Sequence, residues 1–386
     1  MQRIMEKNRK NIKELIIAEA DSFWTKRFIE NVSLPLQHRV TIISPTNTVN
    51  SEFYNENKVK IIISSNSDSF LDKIPRIRVM YRENRLKKII EKEEYDYLHI
   101  FYASQSSMKV VNLLKNSHNI IITYWGSDLL RANNLQIKTA IKVIKRADFI
   151  IVMTEDMKKF FQKYYGENIS KRVSVIDMGV SAFTYIDKLR GKQEECKKFY
   201  LNKSENRIFI TVAYNADINQ QHIKIIEALS LLPEEIKKKC FIVLPMTYRK
   251  LDNNYILSVK KKIASSGFEY CILEKFMDDF EISRLCVATD LFINAQTTDA
   301  QSSSMLEHLY ANTKVLNGAW LNYSFLEKND IFCRKFNDFK ELSDLIYTEI
   351  KDMKFKDGKK GKIQQILYEE CSWENCKNKW EYLLNR

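Results

Sequence analysis

Short apolar runs alternate with longer amphipathic stretches along almost the whole chain. In the first half the runs cover residues 15–18, 40–44, 59–64, 97–101, 120–124, 149–153 and 173–176, and most are dense in Ile and Val. Between them, residues 24–32, 79–94, 107–115, 135–146 and 156–165 place apolar positions at helical spacing. Near-continuous β-branched runs separated by helices predict a parallel sheet buried on both faces. Residues 187–204 are polar, show no clear strand and break the rhythm, as an interdomain linker would. The alternation resumes with strands at 208–213, 241–245, 271–274, 291–294 and 314–316. Helices are predicted between and after them at 222–231, 255–265, 280–287 and 304–310, and a final amphipathic helix at 373–384. The expected organisation is α/β throughout: a Rossmann-like, doubly wound domain over 1–186, a linker over 187–204, a second such domain over 205–370, and a C-terminal helix over 371–386. Ligands of such sheets sit at the carboxyl ends of the strands, and two of these domains face to face place the ligand in the cleft between them.

Composition narrows the chemistry. With 386 residues, 45% of them hydrophobic, the chain can build two cores. Its eight glycines never form a G-x-G or a Walker A loop, which excludes an ordinary dinucleotide or P-loop site. No apolar run approaches the roughly 18–20 residues that cross a bilayer. Residues 1–13 are polar and no signal-peptide core follows, and the seven scattered cysteines, without any C-x-x-C, read as the reduced thiols of a cytoplasmic protein. Zinc motifs are missing. The net charge of +13 is uneven: residues 1–190 hold 32 Lys and Arg against 21 Asp and Glu, and residues 191–386 hold 30 against 28. An excess confined to one half suggests an anionic partner there, either membrane headgroups or a lipid-phosphate substrate. A merely solvated basic surface is the other reading. Nucleic acid is not expected, because no binding motif accompanies the charge.

Candidate chemistry concentrates in four segments. In ATDLFINAQTTDAQSSSMLEHLYANTKV (residues 288–315), a strand leads through a polar loop to a helix start at Ser302, Ser303 and Ser304. Hydroxyls, unpaired N–H groups and the positive helix end make an anion site suited to a diphosphate. Glu307, one turn later, is placed to accept ribose hydroxyls, and Asp299 lies on the loop; a capped helix with a surface acid is the plainer reading. Tyr124, Trp125, Gly126, Ser127 and Asp128 follow an apolar strand, where Gly126 allows a tight approach of backbone to ligand. Asp128 there is either a site carboxylate or an N-cap. Glu19 and Asp21 follow the first strand and are candidate proton acceptors for an acceptor hydroxyl, with a helix N-cap at Asp21 or Ser22 as the alternative. In the second half, Asn215, Asn219, Gln221 and His222 follow the first strand, and Tyr248, Arg249 and Lys250 end the next.

The spacing Asp299-x7-Glu307 resembles the donor signature of retaining, family-4-type glycosyltransferases of GT-B fold, as Tyr124–Asp128 resembles their H-G-S-D turn, with Trp125 in place of His. His99 is similarly placed to the His of their D-x-x-H strand. The resemblance implies two Rossmann-like domains, a nucleotide-diphosphate sugar donor held by the second, and Glu307 on the ribose with Asp299 at the donor sugar. Asp299 and Asp128 would be the catalytic acids of the cleft, joined by Glu19 or Asp21 on the acceptor side. Donor contacts would come from Ser302, Ser303, Ser304, Asn215, His222, Tyr248, Arg249 and Gly126. The chain departs from the family pattern in three ways. The usual Arg and Lys after the first strand of the second domain are replaced by Asn215, Asn219, Gln221 and His222; Asn312 stands where a Gly is usual; and Asp299 replaces a Glu. The N-x3-N-x2-H loop and P-M-x-Y strand end are locally similar to the dideoxy amino sugar transferase of enterobacterial common antigen. No cofactor is implied, and the missing D-x-D speaks against a metal. The expected function is sugar transfer to a lipid-linked or other surface-glycan acceptor by a cytoplasmic, membrane-peripheral enzyme. The alternative is a catalytically silent module that binds a sugar nucleotide or a partner subunit.

Overall fold

The computed structural model of the chain describes residues 12–45, 51–64, 75–113, 119–201, 207–353 and 360–384. It divides into two units, Met1–Met178 with Cys376–Arg386, and Gly179–Asn375.

In the first unit the chain runs β1 (Lys13–Ile17), α1 (Phe23–Phe28) with a wider turn over Ile29–Ser33, β2 (Arg39–Ser44), α2 (Ser51–Glu56), β3 (Lys60–Ile63) and α3 (Pro75–Glu91). It continues β4 (Tyr97–Ile100), α4 (Gln105–Leu113), β5 (Asn119–Tyr124), α5 (Ser127–Leu130), α6 (Asn134–Arg146), β6 (Phe149–Val152), α7 (Glu155–Tyr165), α8 (Glu167–Ser170) and β7 (Val173–Val175). All seven strands are parallel, in the order β3-β2-β1-β4-β5-β6-β7.

The second unit opens with α9 (Ala182–Leu189) and α10 (Gln193–Lys198), then β8 (Ile208–Val212), α11 (His222–Ser230), α12 (Glu234–Lys237), β9 (Cys240–Pro245), α13 (Asn253–Ala264), β10 (Glu269–Leu273) and α14 (Asp279–Ala288). There follow β11 (Leu291–Asn294), α15 (Ser303–Tyr310), β12 (Lys314–Gly318), α16 (Ser324–Lys328), β13 (Arg334–Phe336), α17 (Phe339–Lys351), α18 (Lys362–Cys371) and α19 (Trp373–Leu384), whose end belongs to the first unit. Its six strands are again parallel, in the order β10-β9-β8-β11-β12-β13. Alternate residues of each strand enter separate cores. Phe209, Val243 and Phe292 pack with α14 and α15, and Ile210, Leu244 and Ile293 pack with α11, α13 and α17. Burial on both faces is why these strands read as unbroken apolar runs.

The segment expected as a linker, 187–204, differs most. Residues 202–206 lie outside the described ones, and the rest forms the end of α9 and all of α10, packed on α14. Cys196 and Leu201 join Phe183 and Ile186 in the core. Lys197 is buried too, its Nζ 2.9 Å from Asp290 and donating to the Arg207 carbonyl. The division of the chain falls instead at 178/179, and the C-terminal boundary at 375/376 rather than 371. β13 and the short helices α2, α5, α8, α12 and α16, three to six residues long, had no counterpart in the sequence pattern, and neither did the longer α17 and α18.

Candidate functional site

In the second unit, the loops after β8, β9 and β11 are tied into one assembly. After β8, Asn215 accepts the Asp217 N–H at 2.9 Å, and Asp217 accepts the Asn219 N–H at 2.9 Å, two successive Asx turns. The other Asp217 oxygen takes Arg249 Nε at 2.8 Å from the loop after β9, while the Ala216 N–H donates to the Tyr248 carbonyl at 3.0 Å. Asn219 fixes the loop after β11: its carbonyl accepts the Thr297 N–H and its Nδ2 donates to the Thr298 carbonyl at 3.2 Å. Gln221 Nε2 donates to the Ala295 carbonyl at 2.6 Å. Gln296 is the centre of this seam, its Oε1 accepting from Tyr214 at 3.0 Å and Asn219 at 3.3 Å.

Onto this frame the structure brings Asp299, Glu307, Tyr248 and Arg249. Asp299 is oriented by Tyr323, whose hydroxyl donates to Oδ2 at 2.7 Å while accepting from Asn294 Nδ2 at 3.0 Å. Asn294 in turn donates to Asn317 Oδ1 at 2.8 Å, so the loop carboxylate is braced from β11 and β12. Burial, with the charge of Asp299 added, drives the Tyr323 phenol well above its ordinary range. Glu307 is buried on α15. Tyr248 is 42% exposed as a residue, but crowding around its phenol end raises it above the ordinary range; a hydrogen bond with Asn215 and the charge of Arg249 oppose the rise, and Glu307 and Asp299 add to it. Ser302 caps α15, its Oγ accepting the Met305 N–H at 3.2 Å, and Ser303 and Ser304 are half-buried on the first turn. Arg249 keeps a side chain 44% exposed. The arrangement offers two carboxylates, a phenol, a guanidinium and a helix start within one set of strand ends.

His222 does not join them. Its ring is wholly buried, its Nδ1 and backbone N–H both meeting the Tyr255 hydroxyl at 3.0 and 3.1 Å, and burial lowers its pKa to about 4. The sequence made it a donor contact because it opens α11, but the N-terminal residue of this helix faces the core. Lys250 is also engaged, donating to the Glu274 carbonyl at 2.7 Å.

In the first unit, Gly126 has φ +132°, a conformation that only glycine adopts readily, and the turn it makes folds back on Asp128. The buried Asp128 carboxylate accepts three N–H groups: Trp125 at 2.9 Å, Gly126 at 3.0 Å and, from the loop after β4, Ala103 at 3.0 Å. Burial pushes its pKa up to about 6 against these three bonds. Asp128 therefore holds two strand-end loops together. Around it, Trp125 donates to the Phe101 carbonyl and lies 5.3 Å from Trp24 and 5.0 Å from Phe101. Glu19 and Asp21 are exposed after β1, and Ser22 stands at the N-cap of α1 without a side-chain bond.

A second buried group escaped the sequence reading. Glu14, inside β1, accepts Ser33 Oγ at 2.8 Å and lies 3.1 Å from His38 Nδ1 and 3.6 Å from His99 Nδ1. Burial alone would raise its pKa, but the two histidines outweigh it and hold the carboxyl at about 2. His99 also meets Thr123 at 2.8 Å and is wholly buried, a core residue of β4. A carboxylate within an apolar strand was the available signal. Asp217, Gln296 and Tyr323 were likewise missed, since each acts by fixing a neighbour.

The fold has matches among known proteins. Residues 13–154 match the family model described as glycosyl transferase 4-like. No curated protein matches by sequence. Among solved structures, a glycosyltransferase from Rickettsia africae is similar at 18% identity and a TM-score of 0.70, over 97% of this chain and 98% of that one. Anabaena Alr3699/HepE, solved with UDP and glucose, is similar at 14% identity and a TM-score of 0.70, over 97% and 99%. Sucrose-phosphate synthase from Thermosynechococcus elongatus is similar at 12% identity and a TM-score of 0.72, over 97% and 98%. Residues 13–154 thus match a glycosyl transferase 4-like family model, and the chain shares the GT-B fold of these glycosyltransferases.

Proposed function

We propose that the chain transfers a sugar from a nucleotide-diphosphate donor bound at the strand ends of the second unit. The acceptor, a lipid-linked saccharide or other surface-glycan precursor, is bound by the first unit at the inner face of a membrane. The observation that carries this reading is the convergence of Glu307, Asp299, Tyr248 and Arg249 beside the start of α15. Glu307 accepts the ribose hydroxyls, Asp299 the hydroxyls of the donor sugar, and the α15 start with Ser302, Ser303 and Ser304 receives the diphosphate. Arg249 supplies the cation that the loop after β8 lacks, and with the helix end it stabilises the departing diphosphate without a metal. Asn215 and Tyr248 line the same side, while Gly126 and Asp128 shape the acceptor loops. Glu19 or Asp21 takes the acceptor proton if the reaction inverts.

The test is binding and turnover with UDP- and dTDP-sugars. A donor should raise the melting temperature of the wild type, and Glu307→Ala should abolish that shift while the free protein still melts at its normal temperature. Chelation of divalent ions should leave turnover unchanged. Absence of any shift or hydrolysis across the panel would overturn the reading, and binding without turnover would favour the silent module.

A further inference from the structure

Helix α4 packs between α3 and α6, so the three form one layer of the first unit. Together they carry eleven Lys and Arg against two Glu, both on α3. The extreme case is α6. No carboxylate occurs between Asp128 and Asp148, whereas Arg131, Lys138, Lys142, Lys145 and Arg146 are all exposed. By helical spacing, 138, 142, 145 and 146 lie along the outer side of a helix whose buried residues are Ala140, Val143 and Ile144. Lys88 and Lys109 extend the exposed charge onto α3 and α4. Two acids bordering the layer are engaged elsewhere: Asp148 accepts the Ile120 N–H at 2.8 Å, and Glu93 pairs with Lys60 at 2.6 Å.

Two apolar side chains stand among these cations. Leu135, on the first turn of α6, and Met80, on α3, are each 60% exposed. Exposed lysines around isolated exposed apolar residues suit the interface of an anionic bilayer, where the charge meets headgroups and the apolar tips enter the acyl boundary. A single-strand nucleic-acid groove would add several stacking aromatics, and the layer has one, Tyr81 on α3, with none on α4 or α6.

We propose that the α3–α4–α6 layer is the surface by which the chain docks on an anionic bilayer. It rests on the reading above only in giving the enzyme a reason to be there, since docking needs no turnover. The test is flotation of the full chain with vesicles of phosphatidylcholine alone or mixed with phosphatidylglycerol, at rising salt. The expected result is flotation with the mixed vesicles only, lost at high salt. Lys138→Glu, Lys142→Glu and Lys145→Glu together should weaken partitioning by about tenfold or more. The same charge change at Lys159, Lys163 and Lys171, on and after α7, should leave it within about twofold. A Gln triple at 138, 142 and 145, with an unchanged melting temperature, should weaken it to an intermediate degree. The proposal fails if nothing floats, if the two Glu triples lose equally, or if duplex or single-stranded DNA is bound more tightly than the mixed vesicles at the same salt. Donor-induced melting shifts on the same preparations report on sugar transfer separately.

Discussion

Two buried carboxylates of the first unit titrate with opposite sign, and the difference follows from what each touches. Glu14 meets two histidines and is held at about 2, below its ordinary 4.5. A depressed carboxyl contributes stability that is present above about 4.5 and lost as pH falls through about 2. Asp128 meets only backbone amides and is raised from 3.8 to about 6. Its contribution is fully present below about 4 and declines as pH rises through about 6, by a few kcal/mol at most. Denaturant titrations of the wild type and Asp128→Asn at several pH values should therefore show the decline between pH 4 and 6 only in the wild type. For Glu14→Gln the loss below pH 4.5 should disappear, from a lower starting stability at neutral pH. Gly126→Ala should lower stability by about 1–2 kcal/mol, because the turn requires φ +132°.

The elements that sequence revealed are those whose apolar runs are long and whose ends are marked. Most that it hid are short or disguised by charge, and the longer α17 and α18 were hidden as well, in the stretch after β12. β1 to β12 were legible as Ile/Val runs, with boundaries displaced by a residue or two, and α19 was read with its observed bounds. α9 and α10 were obscured because Lys197, a residue expected in water, is buried against Asp290, so a charged stretch contributes to a core. Site residues divide in the same way. Asp299 and Glu307 were visible because their spacing along one strand–loop–helix is local. Asp217 was not, because its bond to Arg249 joins loops 32 residues apart. That pairing gives a prediction for the loops as a unit. Asp217→Asn removes the ionic partner but keeps an acceptor, so it should raise the donor KM by several-fold with little change in kcat. Asp217→Glu should rescue it partly. Asn312 tests an end of α15: it sits after the helix at φ +60°, the position that favours Gly or Asn. Asn312→Gly should therefore be neutral within about 0.5 kcal/mol, and Asn312→Val should cost about 1–2 kcal/mol, read from the melting temperature.

At the scale of the molecule, the chain enters the second unit once and returns, so that residues far apart in sequence complete the first unit's core. Trp380 is wholly buried, with its ring 4.9 Å from Phe28 and 6.0 Å from His99. Its indole N–H donates to the Asp177 carbonyl at 3.3 Å, and the Tyr97 hydroxyl donates to the Leu384 carbonyl at 2.9 Å. The terminal helix was legible in the sequence, but its destination was not, because amphipathic spacing says that a face is buried without saying against what. Removing a buried Trp side chain costs about 3–5 kcal/mol, a large part of a domain's roughly 5–15 kcal/mol. Trp380→Ala should therefore lower the melting of the first unit by about 10 °C and leave that of the second unit in place, so calorimetry should resolve two transitions where the wild type shows them closer together. The two halves of the function should separate with them. Near the lower transition, donor-induced stabilisation should persist, because Glu307, Asp299 and Arg249 all lie within Gly179–Asn375, while flotation with anionic vesicles should be lost with the layer of α3, α4 and α6. Loss of donor binding at that same temperature would mean that the donor is not held by the second unit alone.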